Sequence, residues 1–275
     1  MIEIYDSASA SEWMEAQPKH VGVYLASRAA LRAFPAVYLV RQEIEASDSF
    51  DASMLSEVLL PTLFGLTFAA SASTRSAQQE DETYEASMML SSVLDYWSGQ
   101  TSTSPTHFTC YGDDSATDAI MAVGSAVSCC DEYGGSGAGC IQRAAGAASR
   151  AVSFQAQRNG LSTEDVVQRR QAAVEAMYEA ASWDANDASK DWSALWPSGV
   201  QRPEEMVEIW NAFKAFMSKK PEIWGFWIEW YEALLLGQAV SWGLMYDITS
   251  KIPDEEWDPQ VGPAKVAERI KSLAG

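Results

Sequence analysis

Histidine is nearly missing from this chain. Its 275 residues contain two, His20 and His107. Neither falls in a G-x-S-x-G or Cys/His setting, so the usual base of a nucleophilic hydrolase has no recognisable context. Basic residues are scarce as well: 19 Lys and Arg stand against 38 Asp and Glu, a formal charge of −19. A grip on nucleic acid through its phosphates needs a dense Lys/Arg surface, so direct nucleic-acid binding is not expected. The same balance disfavours an anionic membrane face. No apolar run reaches the about 18–20 residues that span a bilayer. The opening residues carry Glu3, Asp6, Glu12 and Glu15 where a secretory signal would be basic. The expectation is a cytoplasmic protein without membrane contact.

Cysteine is limited to Cys110, Cys129, Cys130 and Cys140. With no secretory signal these read as reduced thiols rather than a disulfide framework. His107-x-x-Cys110 with Cys129, Cys130 and Cys140 holds the ligand types of structural zinc, but only the first pair has knuckle spacing. No metal and no cofactor are expected. The run Gly134-Gly135-Ser136-Gly137-Ala138-Gly139 lacks both the G-x-G-x-x-G pattern and a following Lys-Ser/Thr, so it reads as a flexible loop, not a phosphate cradle. Asp184, Asp187 and Asp191 share helical spacing. On so acidic a chain they read as a solvated face rather than a cation site.

What is plentiful is apolar spacing of helical period, which predicts an all-α, multi-helix bundle. Val21, Leu25, Ala29 and Val37 place a helix over 20–46, with Pro35 as a kink or break. A second, capped by Asp51, carries Met54, Leu55, Val58 and Leu59, and Pro61 and Gly65 are expected to break or bend it. A third is read over 80–97 and a loop over 101–108. Two alanine-rich helices, 113–130 and 140–158, are predicted to pair antiparallel, with Ala144, Ala148 and Ala151 opposite Ala119, Val123 and Val127. Ser162 or Thr163 caps a helix running to about 189. Helices over 204–217, 221–236, 240–251 and 263–273 complete the chain, with Pro221 and Pro263 in first-turn positions and Gly237 as a stop. The 221–236 helix, apolar almost all round, is expected to be the buried centre of its part.

Two parts are distinguished by composition. Residues 1–160 are rich in Ala and Ser and include the glycine run at 134–139. Residues 161–275 are rich in Trp, holding nine of the eleven indoles. Trp224, Trp227 and Tyr231 follow a core stripe, whereas Trp210, Trp230 and Trp242 are the candidate binding residues, because Trp is enriched at interface hot spots. No catalytic residue is assigned.

Several segments together resemble a family of uncharacterised bacterial helical proteins rich in alanine and tryptophan. They are Ala26-Ser-Arg-Ala-Ala-Leu-Arg-Ala-Phe-Pro35, Ala180-Ala-Ser-Trp-Asp-Ala-Asn-Asp187, Leu195-Trp-Pro197, Trp227-Ile-Glu-Trp-Tyr-Glu-Ala-Leu-Leu-Leu-Gly237, Ile252-Pro-Asp-Glu-Glu-Trp257 and Gly262-Pro263. The spacer from Trp257 to Gly262 is longer than in that family's pattern, and the cysteine-bearing middle has no counterpart. The resemblance implies no activity, substrate or catalytic residue. The functional expectation is a non-catalytic scaffold or adaptor acting through a protein partner or self-association, extending to an accessory role in a bacterial defence or toxin system. The alternatives are an acidic decoy that mimics nucleic-acid charge and a metal-dependent enzyme.

Overall fold

A computed structural model of the chain describes residues 2–39, 52–74, 115–130, 137–187, 192–257 and 262–275. Among the described residues the regular structure is all helical, as the apolar period predicts. The α-helices are α1 (Ser7–Glu15), α2 (Lys19–Ala33), α3 (Ala52–Ala72), α4 (Ser115–Ser128), α5 (Gly137–Arg158), α6 (Thr163–Asp187), α7 (Glu204–Met217), α8 (Pro221–Leu236), α9 (Trp242–Lys251) and α10 (Pro263–Ala274). Short 3-10 turns follow α2 (Phe34–Tyr38) and α9 (Asp254–Glu256). The helix expected over 80–97 and the loop over 101–108 lie outside the described residues.

The helix that the others enclose is α2. Every residue from Val23 to Leu39 is buried, and α2 packs against α3, α4, α5 and α6. The 221–236 helix is expected only to be the buried centre of its own part. That helix, α8, buries a stripe through Trp224, Trp227, Ile228, Trp230, Tyr231 and Leu234 and leaves Leu236 exposed. The centrality of α2 is masked in the sequence by Arg28 and Arg32, which a core helix rarely carries.

Pro35 ends α2 as expected, because its ring cannot supply an amide to Leu31 O. The Tyr231 hydroxyl of α8 donates to that carbonyl instead, at 3.0 Å, alongside the Phe34 amide. Pro61 behaves otherwise: α3 continues through it and through Gly65 to Ala72. In the disturbed turn Thr62 Oγ1 donates to Val58 O at 2.7 Å, and apolar packing on all sides holds the helix together.

The antiparallel α4/α5 pair forms as the alanine spacing predicts. Ala119, Val123, Val127, Ala144, Ala148 and Ala151 are all buried, and Asp118 meets Arg150 across the pair. The glycine run is corrected at its end: Gly137, Ala138 and Gly139 form the first turn of α5 rather than a loop. A Cβ on Gly137 would lie 2.8 Å from Met14 Sδ and 3.3 Å from Gly22 O, so the glycine admits close approach of the α1 Met14 side chain and of the α2 backbone.

Beyond α5, Asn159 and Gly160 turn the chain into α6, which is N-capped by Ser162 Oγ on the Asp165 amide at 3.2 Å. The compositional boundary at 160/161 falls in this turn. α5 and α6 pack along each other, and the main buried cluster draws residues from both sides. The N-terminal segment is tied to α6, where Ser182 Oγ accepts from Ile4 N at 2.7 Å and Asn186 bonds both backbone groups of Ile2. α7 covers the 3-10 turn Phe34–Tyr38, with Tyr38 and Phe213 stacked at 5.1 Å, while α9 packs on α3 and α10 on α8.

Candidate functional site

Arg28 and Arg32 are one helical turn apart on α2, so they project from the same face. Both side chains are buried, and both reach Asp184 near the end of α6. Arg28 Nε donates to Asp184 Oδ1 at 2.8 Å, and Arg32 Nη2 lies 2.6 Å from Oδ2. The rest of the Arg28 fork clamps main chain: Nη1 donates to Ser193 O at 3.1 Å, and Nη2 to Ala194 O at 2.6 Å and Leu195 O at 3.3 Å. Arg32 Nε donates to the same Leu195 carbonyl at 2.8 Å. Aromatic faces close the cluster. The Arg28 guanidinium carbon lies 5.5 Å from the Tyr24 ring and 5.4 Å from Trp192, and that of Arg32 lies 5.6 Å from Trp196. These separations fall within cation–π range.

Burial weakens the hold of the Arg32 guanidinium on its proton, and the nearby Asp184 carboxylate opposes that shift. Burial likewise pushes the phenols of Tyr24 and Tyr231 upward. An arginine does not exchange protons near neutrality, so the chemistry this arrangement offers is electrostatic: holding carbonyls, a carboxylate or an oxyanion.

Asp184 is therefore corrected from a solvated acidic face to a buried ion-pair partner at 3% exposure. Asp187 is half-buried, and Asp191 lies outside the described residues. The overlooked signal was the Arg-x-x-x-Arg spacing inside an otherwise apolar α2. Only a distant carboxylate could make such a helix core, and nothing in the local sequence says which one.

The candidate tryptophans separate. Trp210 and Trp230 lie in the core, the first 4.4 Å from the Tyr231 ring and the second 5.9 Å from Trp227. Trp242 is half-buried and sits 4.6 Å from Trp192. These three do not join into one exposed patch. Among the described residues the exposed indole belongs to Trp183, at 47%. Successive helical residues are about 100° apart, so the inward turn of Asp184 carries Trp183 toward solvent. Its ring covers Gly199, where a Cβ would lie 3.2 Å from Trp183 Cζ2.

His107 and Cys110 lie outside the described residues. Cys129, Cys130 and Cys140 are buried near the α4/α5 junction, and the Cys140 Sγ lies 3.1 Å from both Ala26 O and Ala122 O, two acceptors for its one hydrogen. Burial pushes the Cys129 thiol up to about 12 and Cys140 well above its ordinary value, which disfavours the thiolate needed for nucleophilic or metal chemistry. Among the described residues no group of three or more His, Cys, Asp and Glu has the geometry of a metal site, and no helix is long and apolar enough to cross a membrane.

The fold and this cluster define an all-helical protein organised on a buried arginine–aspartate hub. The chain matches no protein-family model, no curated protein and no solved structure.

Proposed function

We propose that this protein is a non-catalytic helical scaffold that works through a protein partner. The observation that carries the reading is the exposed Trp183 indole, held over Gly199. An aromatic ring fixed by backbone contact offers apolar area with little entropy left to lose, the property that makes Trp prominent at interface hot spots. The buried charges of the hub support the same reading, because Arg28, Arg32 and Asp184 are spent on joining helices to each other.

The test compares capture by the wild-type chain and by Trp183→Ala, with light scattering across a dilution series to detect self-association. The expected result is a stoichiometric partner, foreign or a second copy, that is lost in the variant while the melting temperature changes by less than about 2 °C, as for a surface substitution. Retention of the partner by the variant would remove Trp183 from the interface. A monomer that captures nothing and turns over a small molecule would overturn the scaffold reading.

A further inference from the structure

The face of α6 that presents Trp183 is acidic. Glu175, Glu179 and Trp183 follow one another at intervals of four residues, so they form one stripe with successive Cβ atoms about 5–6 Å apart, and all three are exposed. Glu175 accepts from Gln171 Nε2 at 2.9 Å. The helical neighbours of Glu179 are Glu175, Ala176, Ser182 and Trp183, none of them basic. From Gln171 to Asp187 the helix carries four acids and no Lys or Arg. This arrangement works against the helix itself. Like charges four residues apart repel, and the last turn, where the macrodipole favours cations, holds Asp184 and Asp187 without a basic residue. Asp184 is compensated from inside by Arg28 and Arg32, whereas Glu179 points away from that hub on the solvent side. The cation of the adjoining loop, Arg202, is half-buried and donates to Met206 O at 3.3 Å.

Resting on the reading of Trp183 as the docking residue, we propose that the protein partner presents an arginine-bearing segment whose guanidinium seats on the Trp183 ring and pairs with Glu179. Trp offers the best aromatic face for a cation, with attraction inside about 6 Å of the ring centroid. A guanidinium suits this place better than an ammonium, because its plane stacks on the ring while its fork meets a carboxylate. The protein uses the same combination in its interior, where the Arg28 guanidinium lies 5.4 Å from the Trp192 ring and bonds Asp184 at 2.8 Å. The surface ring is already set in place. Gly199 supports it from one side, where a Cβ would lie 3.2 Å from Cζ2, and 47% of the residue stays open. Glu175 and Glu179 add charge complementarity, which draws a basic segment and turns an acidic one away.

The full chain is titrated with tetra-arginine amide, tetra-lysine amide and tetraglutamine amide. Affinity is read by calorimetry, and the Trp183 indole N–H is followed by NMR, its resonance identified by its loss in Trp183→Leu. The expected result is that tetra-arginine shifts this resonance and binds more tightly than tetra-lysine, while tetraglutamine does neither. Trp183→Leu keeps apolar bulk but removes the ring face, and is expected to weaken tetra-arginine binding about two- to fivefold, the worth of one exposed cation–π contact. Glu179→Gln is expected to weaken it about two- to fivefold as well, in line with one exposed ion pair. Both are surface substitutions and should melt within about 2 °C of wild type. A chain of charge −19 also attracts oligo-arginine nonspecifically. The background is therefore set by Glu268→Gln, an exposed position on α10, which packs on α8 and α9, and this variant should change binding less than about 1.5-fold. An unmoved Trp183 resonance, or equal losses in Glu179→Gln and Glu268→Gln, would overturn the arginine site. A captured partner whose affinity falls with Trp183→Ala but not with Glu179→Gln would overturn it too and leave the scaffold reading standing. Tetra-arginine binding with the expected dependences, in a chain that captures no partner, would uphold the site and defeat the scaffold reading alone.

Discussion

Arg28 and Asp184 are 156 positions apart and meet at 2.8 Å inside the protein. The contact fastens the central helix α2 to the end of α6, and the same guanidinium holds three successive carbonyls from Ser193 to Leu195. Replacing Asp184 with Asn leaves two buried guanidiniums without their carboxylate. The expected loss is about 3–5 kcal/mol, the range for removing one partner of a buried pair. Urea unfolding should show a lower midpoint at unchanged slope. A loss below about 1 kcal/mol, the range of exposed pairs, would mean that water screens the hub.

Gly237 and Gly225 provide opposite outcomes from the same substitution. Gly237 closes α8 at φ 65°, and a Cβ there would lie 2.5 Å from the Ala194 amide nitrogen. Gly237→Ala is expected to cost about 2–4 kcal/mol, from left-handed backbone strain and overpacking together. Gly225 lies inside α8 with nothing within 4 Å of an added Cβ. Gly225→Ala is expected to stabilise by about 0.5–1 kcal/mol through helix propensity. Thermal unfolding of the two variants checks both signs.

Tyr231 replaces the amide that Pro35 cannot offer. Tyr231→Phe keeps the ring against Phe34 and Trp210 but removes the donor to Leu31 O, at an expected cost of about 1–2 kcal/mol. Trp227→Ala, which empties a site 2% exposed, is expected to cost about 3–5 kcal/mol. If the Tyr231 variant lost as much as the Trp227 variant, the hydroxyl would be holding α2 in place rather than satisfying one carbonyl.

Glu256 predicts a pH dependence. Arg269 donates to it from Nε at 2.9 Å and Nη2 at 2.8 Å, and Lys265 lies 3.4 Å away. These cations, Arg269 foremost, hold its carboxyl at about 2, against an ordinary value of 4.5. A depressed folded-state value means that the stabilisation is complete above 4.5 and disappears as pH falls toward 2. The stability difference between wild type and Glu256→Gln should therefore be constant from pH 7 to about 5 and close below 4.5. A difference that grew on acidification would contradict the bidentate pair.

Local sequence determined where most helices begin and end. Ser162, Pro221, Gly237 and Pro263 act within one turn of themselves, through a missing amide, a cap oxygen or a left-handed φ, and each marks its boundary as read. The alanine spacing likewise determined the α4/α5 pairing, because small faces admit close approach only to one another. Tertiary structure decided what the same local rules left open. Pro61 fails to break α3 because packing outweighs one disturbed turn. Trp210 and Trp230 are core while Trp183 is exposed, since the helix face that each presents depends on neighbours far along the chain. Above all, Arg28, Arg32 and Asp184 are charged letters of the kind normally found at a surface. Only the fold, by bringing two guanidiniums, one carboxylate and the Leu195 carbonyl together away from water, gives their burial a compensating charge and turns them into the centre of the molecule.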